Sequence, residues 1–325
     1  MFLFFKTLPM PSPISDTSQL SDTNEGVQIA YFILVHRLPN QFRRLFRAIY
    51  NPNDHYLIHI DKRAGEELYE EIRVFLSKYP NTYILESQSV VWGWYSMVSA
   101  ELRGIEKLLE LDLKWDFYIN LSGQDFPIKS SKVRNDFLKK NRGKDFMIVS
   151  NQFNNRPNTM NRIENYFTES ETGFIGSPYE RSYMPYTTPY IGGQWKILSR
   201  ECCQFITNSP MIGKFRDYYE NTLIPDESFF QTVLMNTDSG NNIIADDKRA
   251  IIWIPEIGPE LASKVFTESE TTALIESGEI KLRPKTLTME DLPFLLVSDA
   301  LFARKFDEII DTEVLSELEK IVYKG

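Results

Sequence analysis

The chain is poor in cysteine and histidine. Its 325 residues include two cysteines, the adjacent Cys202 and Cys203, and three histidines. Neighbouring cysteines rarely bridge each other, so the sequence excludes a disulfide framework and a zinc site built on cysteines. A metal site held by several histidines is not expected either. This composition fits a reducing compartment, and we expect a cytoplasmic protein.

The sequence also lacks an excess of positive charge and a long apolar run near its start. Its 45 Asp and Glu residues outnumber its 36 Lys and Arg residues, and the formal net charge is −9. Nucleic-acid binding needs a basic surface, so no nucleic-acid partner is expected. The apolar residues 1–5 are too few for a membrane span of about 20 residues or for a signal peptide. We predict a disordered tail over residues 1–25, whose phenylalanines are candidates for a peripheral membrane contact.

The first half of the chain alternates apolar runs typical of strands with segments of helical periodicity. Predicted strands cover residues 27–35, 55–61, 82–85 and 116–121, and predicted helices include residues 66–78 and 96–111. Such alternation predicts an α/β fold with a mostly parallel sheet flanked by helices. Ligands of such sheets bind beyond the carboxyl ends of the strands, and His36, Asp61 and Asp125 each follow a predicted strand.

The second half is less regular. Residues 150–190 are rich in Asn, Arg, Tyr, Ser and Thr and show little periodicity, which is typical of a functional or mobile segment. We then predict a Gly-containing turn into a strand at 190–199, helices in 200–236, a short strand at 251–254 and a terminal helix at 312–323. The whole forms one predicted domain, 26–325, with a nucleotide-binding half (26–150) and an acceptor-binding and catalytic half (151–325).

The run PDESFF at residues 225–230 is the strongest single indication of chemistry. It places Asp226 and Glu227 at the start of a predicted amphipathic helix, whose first turn accommodates Pro225. One interpretation is structural, because acidic residues at a helix start face the positive end of the helix dipole. The other is functional: Glu227 is the general base of an enzyme with a nucleotide-sugar cleft, and Asp226 contacts the substrate.

Polar loop residues provide further candidates. Gln124 and Asp125 end the loop SGQD, and Asp125 is either a turn residue or a contact to a donor sugar. His36 either caps its strand through a backbone hydrogen bond or contacts a nucleotide. Both residues lie where a ligand of a parallel sheet is expected.

Aromatic residues are candidates for sugar contacts. Trp92, Trp94 and Tyr95 precede a predicted helix and are candidates for an acceptor platform, with core packing as the alternative for Trp92. Gln194 and Trp195 follow two glycines, where the backbone can approach a sugar closely.

No Asp-x-Asp motif, with which many glycosyltransferases hold a metal ion, follows a predicted strand. Asp246 and Asp247 are adjacent, and a solvated turn is the favoured interpretation of this pair. Without a metal, Lys and Arg side chains must neutralise a leaving diphosphate. Arg283, Arg304 and Lys305 are the candidates, with a solvated basic surface as the alternative.

Several motifs, taken in order, resemble those of the core-2/I-branching N-acetylglucosaminyltransferase and protein O-xylosyltransferase family. They are IAYFILVH (29–36), RAIY (47–50), HIDKR (59–63), WG (92–93), WDFYINLSGQDFP (115–127), GQW (193–195), PDESFFQTV (225–233) and LFARKF (301–306). The resemblance runs over residues 28–318. The WDFYINLS, ESFFQTVL and FARKF stretches are more similar to the xylosyltransferase branch than to the core-2 branch.

The resemblance implies a GT-A-like fold and an inverting transferase that uses UDP-sugars as co-substrates and works without a divalent metal or other cofactor. It places the catalytic base on Glu227 and the diphosphate contacts on Lys305 and Arg283. The implied donor sugar is GlcNAc or xylose. The implied acceptor is a glycan, a lipid-linked glycan or a protein, in the synthesis of surface polysaccharide or another glycoconjugate.

The family's uridine contacts fall near Val35, His36 and Asp61. Two other functions remain open at this point. One is a catalytically inactive domain that binds glycans or nucleotide sugars on the same fold. The other is a nucleotidyltransferase, which would need a glycine-rich phosphate loop after the first strand, where HRLP (36–39) stands instead.

Overall fold

The computed structural model describes residues 26–111, 113–170, 173–174, 179–257, 267–277 and 280–324. The predicted tail, residues 1–25, lies outside this part of the chain. From residue 29 onwards strands and helices alternate, as the sequence predicts.

The first half of the chain is regular. Its elements are β1 (Ile29–Val35), α1 (Pro39–Ile49), β2 (His55–Ile60), α2 (Glu66–Leu76), β3 (Thr82–Leu85), α3 (Tyr95–Glu110), β4 (Phe117–Ser122), β5 (Asp125–Pro127), α4 (Ser131–Lys140) and β6 (Asp145–Asn151). A 3₁₀ helix, Lys62–Ala64, follows β2. The prediction of a strand at 82–85 is confirmed by β3, and the other predicted bounds differ only slightly from those observed.

The second half contains shorter elements. They are α5 (Gln152–Asn155), α6 (Asn161–Glu164), β7 (Asn165–Tyr166), β8 (Glu169–Ser170), β9 (Gly173–Phe174), β10 (Tyr179–Glu180), β11 (Tyr190–Ser199), α7 (Arg200–Asn208), α8 (Ile212–Tyr219), α9 (Phe229–Met235), β12 (Ile243–Ile244), β13 (Arg249–Ile251), β14 (Trp253–Glu256), α10 (Glu268–Ser277), β15 (Lys281–Pro284), α11 (Leu292–Val297), β16 (Phe302–Arg304) and α12 (Glu313–Val322). Four 3₁₀ helices join them: Pro157–Thr159, Pro225–Glu227, Asp238–Asn242 and Met289–Asp291.

Within the described residues, the largest sheet has seven strands in the order β12-β6-β11-β4-β1-β2-β3. β1 pairs in parallel with β2 and β4, β2 pairs in parallel with β3, and β12 does so with β6. β11 runs antiparallel to β4 on one side and to β6 on the other. The predicted α/β fold with a mostly parallel sheet is therefore confirmed.

Both faces of this sheet are covered, which explains why its central strands are almost continuously apolar. Successive side chains of a strand point to opposite faces. Tyr31 and Ile33 pack on one side, in a cluster that includes residues of α1, α2 and α12. Ala30 and Phe32 pack on the other, in a cluster that includes residues of α3, α7 and α9.

A second, smaller sheet has the strand order β13-β16-β5. β16 is parallel to β13 and antiparallel to β5, and Arg304 on β16 lies opposite Asp125 on β5. Arg249 is the first residue of β13. This sheet therefore gathers charged residues that are far apart in the sequence.

The strand predicted at 190–199 is confirmed as β11, but its glycines lie inside the strand and not in a turn before it. The register with β6 shifts between Gly192 and Lys196, which marks a bulge. A Cβ atom on Gly192 would lie 1.8 Å from the carbonyl oxygen of Ile148. Any larger residue at this position would therefore clash with β6, and glycine allows β11 to approach β6 closely.

The prediction of an amphipathic helix beginning at Pro225 is wrong in two respects. The acidic residues lie in the 3₁₀ turn Pro225–Glu227, and the helical conformation is interrupted at Ser228 before α9 begins. Residues 229–234 of α9 are all buried. Because the helix is covered on all sides, it has no face that contacts water. Its polar residue Thr232 instead has a partner inside the protein: the hydroxyl donates to the Tyr190 carbonyl oxygen in β11 at 3.1 Å.

Two further predictions for the second half need correction. Residues 150–190 are not wholly irregular, because they contain α5, α6 and the paired strands β7 with β10 and β8 with β9. The strand predicted at 251–254 is divided between β13 and β14, which pair with different partners.

Candidate active site

The carboxyl ends of β1 and β2 meet at Val35 and Asp61. The Asp61 N–H donates to the Val35 carbonyl oxygen at 2.8 Å. Burial opposes ionisation of Asp61, but hydrogen bonds from the backbone and guanidinium of Arg63 outweigh it and lower the pKa of this carboxyl. Asp61 is therefore a charged group that also caps the Lys62–Ala64 turn.

His36 follows Val35 and faces several cations. Partial removal from water and the positive charges of Arg37 and Lys305 lower the pKa of its imidazole. The imidazole is therefore neutral near pH 7 and can both donate and accept a hydrogen bond. The structure brings Val35, His36 and Asp61 to one edge of the sheet, and their nucleotide contacts stay predictions.

Lys305 lies at the same edge among further positive charges. Desolvation of its half-buried ammonium, together with Arg304, Arg37 and Arg283, lowers the pKa of Lys305. We call these residues, Arg37, Arg283, Arg304 and Lys305, the cationic edge. The carboxylate of Asp307 also lies at this edge, where it pairs with Arg37 at 2.9 Å. Arg283 is exposed on β15 and lies close enough to Lys305 to influence its pKa, so the two predicted diphosphate contacts lie in the same region.

The side chain of Arg304 reaches from this edge into the protein. Its guanidinium lies 4.1 Å from the ring centroid of Trp195. Its Nε lies 3.8 Å from Oδ1 of Asp125, which has no hydrogen-bond partner among the described residues. The other carboxylate oxygen of Asp125 accepts from the Ser122 N–H at 2.6 Å. Asp125 therefore acts as a turn residue through one oxygen and faces the site with the other.

Arg249 is a buried member of this site that the sequence analysis missed. Desolvation lowers the pKa of Arg249, while Asp125 and Asp247 oppose this effect. Its Nη2 donates to the Asn120 carbonyl oxygen at 2.6 Å, but its Nε and Nη1 lack partners in the described chain. The interpretation of Asp247 as a solvated turn residue is wrong, because its side chain is buried and accepts from the Arg249 N–H at 3.0 Å.

Asp226 and Glu227 have different surroundings although they are adjacent. Asp226 is 6 % exposed, and burial together with the charge of Glu227 raises its pKa to about 7. Its Oδ1 has no partner among the described residues. Glu227 is half-buried and accepts a hydrogen bond of 2.9 Å from Arg162, a second residue that the sequence analysis missed. Asp226 lies close enough to Arg304 to influence the pKa of that guanidinium.

The aromatic residues before α3 are arranged differently from the prediction. Trp94 is buried, so the expectation that its ring forms an exposed acceptor platform is wrong. Tyr95 packs against Phe229 with ring centroids 6.4 Å apart, and burial raises the pKa of Tyr95 to about 12. Trp92 is 75 % exposed, so the core alternative for Trp92 is wrong too. The Gly93 carbonyl oxygen accepts from the Ile224 N–H at 2.7 Å, which ties this loop to the turn of Glu227.

The two predicted glutamine contacts have structural partners. Gln124 is buried, and its Nε2 donates to the Phe306 carbonyl oxygen at 3.2 Å. The Gln194 carbonyl oxygen accepts from Asn120 Nδ2 at 2.9 Å and from Lys196 Nζ at 2.6 Å. Gln124 therefore joins β5 to the segment after Lys305, whereas the half-buried side chain of Gln194 stays a predicted substrate contact.

Neither a three-ligand metal site nor a membrane-spanning helix occurs in the described part of the chain. Its His, Cys, Asp and Glu side chains form no group of three that could hold a metal ion. None of the helices in these residues is long and apolar enough to span a bilayer.

A sequence model of the family described as "Core-2/I-Branching enzyme" matches residues 29–275. The chain belongs to the core-2/I-branching enzyme family. This confirms the resemblance inferred from the motifs, and the match includes the strand ends, the turn of Glu227 and the β11 bulge. Arg283, Arg304 and Lys305 lie beyond the matched residues.

Curated relatives extend further along the chain. Xylosyltransferase 2 of Mus musculus is 29% identical over 306 residues, which is 91% of this chain and 34% of the relative. The xylosyltransferase of Ciona intestinalis is 30% identical over 304 residues, again 91% of this chain and 34% of the relative. The chain therefore spans about a third of the length of the curated relatives it matches. Among solved structures, that of S. aureus TarS 1-349 has a TM-score of 0.37 and 12% identity, covering 67% of this chain and 57% of TarS.

Proposed function

We propose that this protein is an inverting glycosyltransferase that moves GlcNAc or xylose from a UDP-sugar to an acceptor hydroxyl. The acceptor oxygen would attack the anomeric carbon while the bond between this carbon and the diphosphate breaks. The hydroxyl proton passes to Glu227, and UDP leaves with the bonding electron pair. Membership of the core-2/I-branching family supports the glycosyltransferase class.

The observation that carries the proposal is the cationic edge. Partial burial and, after it, the neighbouring positive charges lower the pKa of Lys305, so these cations repel one another at the edge. A bound diphosphate would relieve this repulsion at the edge of the sheet where ligands of α/β folds bind. We propose that Arg304 and Lys305, with Arg283 from β15, stabilise the leaving group in place of a divalent metal.

Buried polar atoms near Arg304 suggest where the donor sugar binds. Asp125 and Asp226 each keep one carboxylate oxygen without a hydrogen-bond partner among the described residues. Leaving such atoms unpaired costs free energy, and sugar hydroxyls can supply the missing hydrogen bonds. Trp195 is buried beneath the Arg304 guanidinium, so we propose that it supports this guanidinium beside the sugar and does not itself present a free aromatic face.

The acceptor side of the proposal rests on the loop before α3. The exposed ring of Trp92 lies in the loop that is hydrogen-bonded to the turn of Glu227, so it is a better candidate for an acceptor platform than Trp94. The acceptor is a glycan, a lipid-linked glycan or a protein. The relatives named xylosyltransferases favour xylose as the donor sugar. We retain the proposal of a cytoplasmic enzyme that reaches lipid-linked acceptors at a membrane surface.

A panel of UDP-sugars tests this function. The purified protein should bind UDP in calorimetry, hydrolyse UDP-xylose or UDP-GlcNAc slowly, and transfer one of them to sugar or peptide acceptors. The anomeric configuration of the product, read by NMR, should be opposite to that of the donor. UDP binding without turnover of any donor would favour an inactive nucleotide-sugar-binding domain, and absence of UDP binding would exclude both.

A further inference from the structure

Lys196 and Glu101 form an ion pair in the protein interior that the proposed mechanism does not use. Lys196 belongs to β11 and Glu101 to α3, and their side chains are 0% and 2% exposed. Lys196 Nζ donates to Glu101 Oε1 at 3.0 Å and to Oε2 at 2.9 Å. The Tyr118 hydroxyl adds a third bond to Glu101, at 3.1 Å.

Lys196 also holds the bulge of β11. Its ammonium donates to the Gln194 carbonyl oxygen at 2.6 Å, so all three of its N–H groups have partners. Trp195 lies between these two residues in the sequence, and its indole ring lies against Arg304. The position of the Trp195 ring under Arg304 therefore depends on how this bulge is fixed.

The same ammonium contacts the helix that follows the predicted base. Lys196 Nζ lies 4.0 Å from the ring centroid of Phe230 on α9, three residues after Glu227. α3 and β11 both contact the Pro225–Glu227 turn. One buried charge thus lies on the strand that carries Trp195 and touches the helix that follows the turn of Glu227, and it is anchored on the helix that begins at Tyr95.

Stability alone does not account for this arrangement. Burying two charges costs solvation free energy, and replacing a buried ion pair with apolar residues of similar volume is often neutral or stabilising. An apolar pair, however, would leave the Gln194 carbonyl oxygen with only one of its two donors, Asn120 Nδ2. The feature that would be lost is the fixed geometry of the bulge and of the elements around it.

We propose that Lys196, held by Glu101, is a positioning residue that fixes the β11 bulge and α9 so that Trp195, Arg304 and Glu227 keep their relative places. This inference rests on the proposed function. Misplacement of reacting groups by about 1 Å can lower a rate by roughly 100-fold, so the effect should appear in kcat.

The test compares two double variants. Lys196→Met/Glu101→Leu removes the pair without leaving a lone buried charge. Arg44→Met/Glu319→Leu removes a pair that joins α1 to α12 at 2.8 Å and serves as the matched control. We expect the first variant to remain folded, to keep its UDP dissociation constant and its KM for the donor within about threefold, and to lose 10- to 100-fold in kcat. The control should keep kcat within about twofold.

Hydrogen exchange of the ligand-free proteins provides a readout that does not depend on turnover. Exchange in residues 190–199 and 225–235 should be faster in Lys196→Met/Glu101→Leu than in the wild type and the control. Unchanged exchange in both segments, or unchanged kcat, would overturn the proposal. If the wild type transfers no sugar, the proposed function fails, while the exchange comparison still decides whether Lys196 fixes the bulge.

A second variant tests the same contact with a smaller change in shape, although it leaves the buried Lys196 ammonium without its counter-ion. Glu101→Gln keeps the shape of the side chain and one acceptor for Lys196, but it removes the charge that holds the ammonium. We expect a loss in kcat of about tenfold at unchanged UDP affinity, because the amide NH2 group cannot accept one of the three hydrogen bonds that the ammonium donates. A Glu101→Gln enzyme with wild-type kcat and wild-type exchange would overturn the proposal.

Discussion

Arg162 holds Glu227 from one side: its guanidinium donates to Oε2 of the carboxylate at 2.9 Å. The Leu223 N–H donates to the Arg162 carbonyl oxygen at 3.2 Å, so α6 is tied to the turn at two points. The two side chains are 23% and 25% exposed, so the pair borders solvent. An acceptor hydroxyl would therefore deliver its proton to Oε1, the oxygen that Arg162 does not hold.

Replacing Glu227 with Gln should remove the base while keeping the donor site. We expect kcat to fall by roughly 10²–10⁴-fold, the usual contribution of a positioned base. UDP affinity in calorimetry should be unchanged, because the cationic edge is intact. Glu313→Gln, an exposed acid at the start of α12, is the matched control. Near-full activity of Glu227→Gln would remove this residue from the mechanism.

Arg162→Met should lower kcat by about tenfold, because the carboxylate loses the hydrogen bond that orients it. Arg162→Lys should recover part of this loss, since an ammonium can donate one hydrogen bond but cannot match the geometry of the guanidinium. Steady-state kinetics with a saturating donor separates the variants. Equal losses in kcat and in UDP affinity would show that Arg162 acts on the donor instead.

Lys305→Ala should weaken UDP binding by about one to two decades, because a charged hydrogen bond contributes roughly 1.5–3 kcal/mol. Arg283→Ala should have a smaller effect, because its side chain is exposed and water screens its charge. Lys132→Ala, in an exposed pair on α4, should bind UDP like the wild type. If calorimetry finds unchanged affinity in both Lys305→Ala and Arg283→Ala, the diphosphate binds elsewhere.

Activity should survive an excess of EDTA. The reason is chemical: the cationic edge already supplies fixed positive charge for the leaving diphosphate. The measurement is the initial rate of transfer with EDTA and after addition of Mn²⁺ or Mg²⁺. Loss of turnover with EDTA, restored by either ion, would show that a metal takes this role.

Asp226 should make the protein less stable as the pH rises. Its pKa is about 7 in the folded protein and near the ordinary value of about 4 when unfolded, so between these values the folded state binds the extra proton. Stability therefore falls through this window, by on the order of 1 kcal/mol per pH unit. Urea unfolding at pH 5, 6 and 7 should show a smaller decline for Asp226→Asn. If the free energy of unfolding declined equally with pH in the wild type and in Asp226→Asn, the raised pKa of Asp226 would be contradicted.

Local patterns in the sequence predicted the first half of the fold well. The strand at Thr82–Leu85 and the meeting of Val35, His36 and Asp61 at one edge follow from apolar runs and the rule for parallel strands. The buried charges were not predictable in this way. Arg162 lies 65 residues from Glu227, and Arg249 lies 129 residues from its acceptor at Asn120.

The periodicity of the sequence also gave wrong predictions where packing against distant residues determines the local structure. The run after Pro225 has the composition of an amphipathic helix, yet α9 is buried against β11 and makes no polar face. Trp92 and Trp94 differ in burial because Gly93, with a φ of 79°, redirects the chain between them. A left-handed conformation at a glycine changes which neighbouring side chain points inward, and this change cannot be predicted from sequence periodicity.

The place of β11 in the large sheet has a consequence for synthesis of the protein. β11 is inserted between β4 and β6, so these earlier strands have no partner on that side until residues 190–199 emerge. A nascent chain ending near residue 150 would expose open strand edges, which are prone to pair with other chains. Completion of the sheet is therefore a late event that needs contacts between distant parts of the chain, and fragments that end before β11 should aggregate.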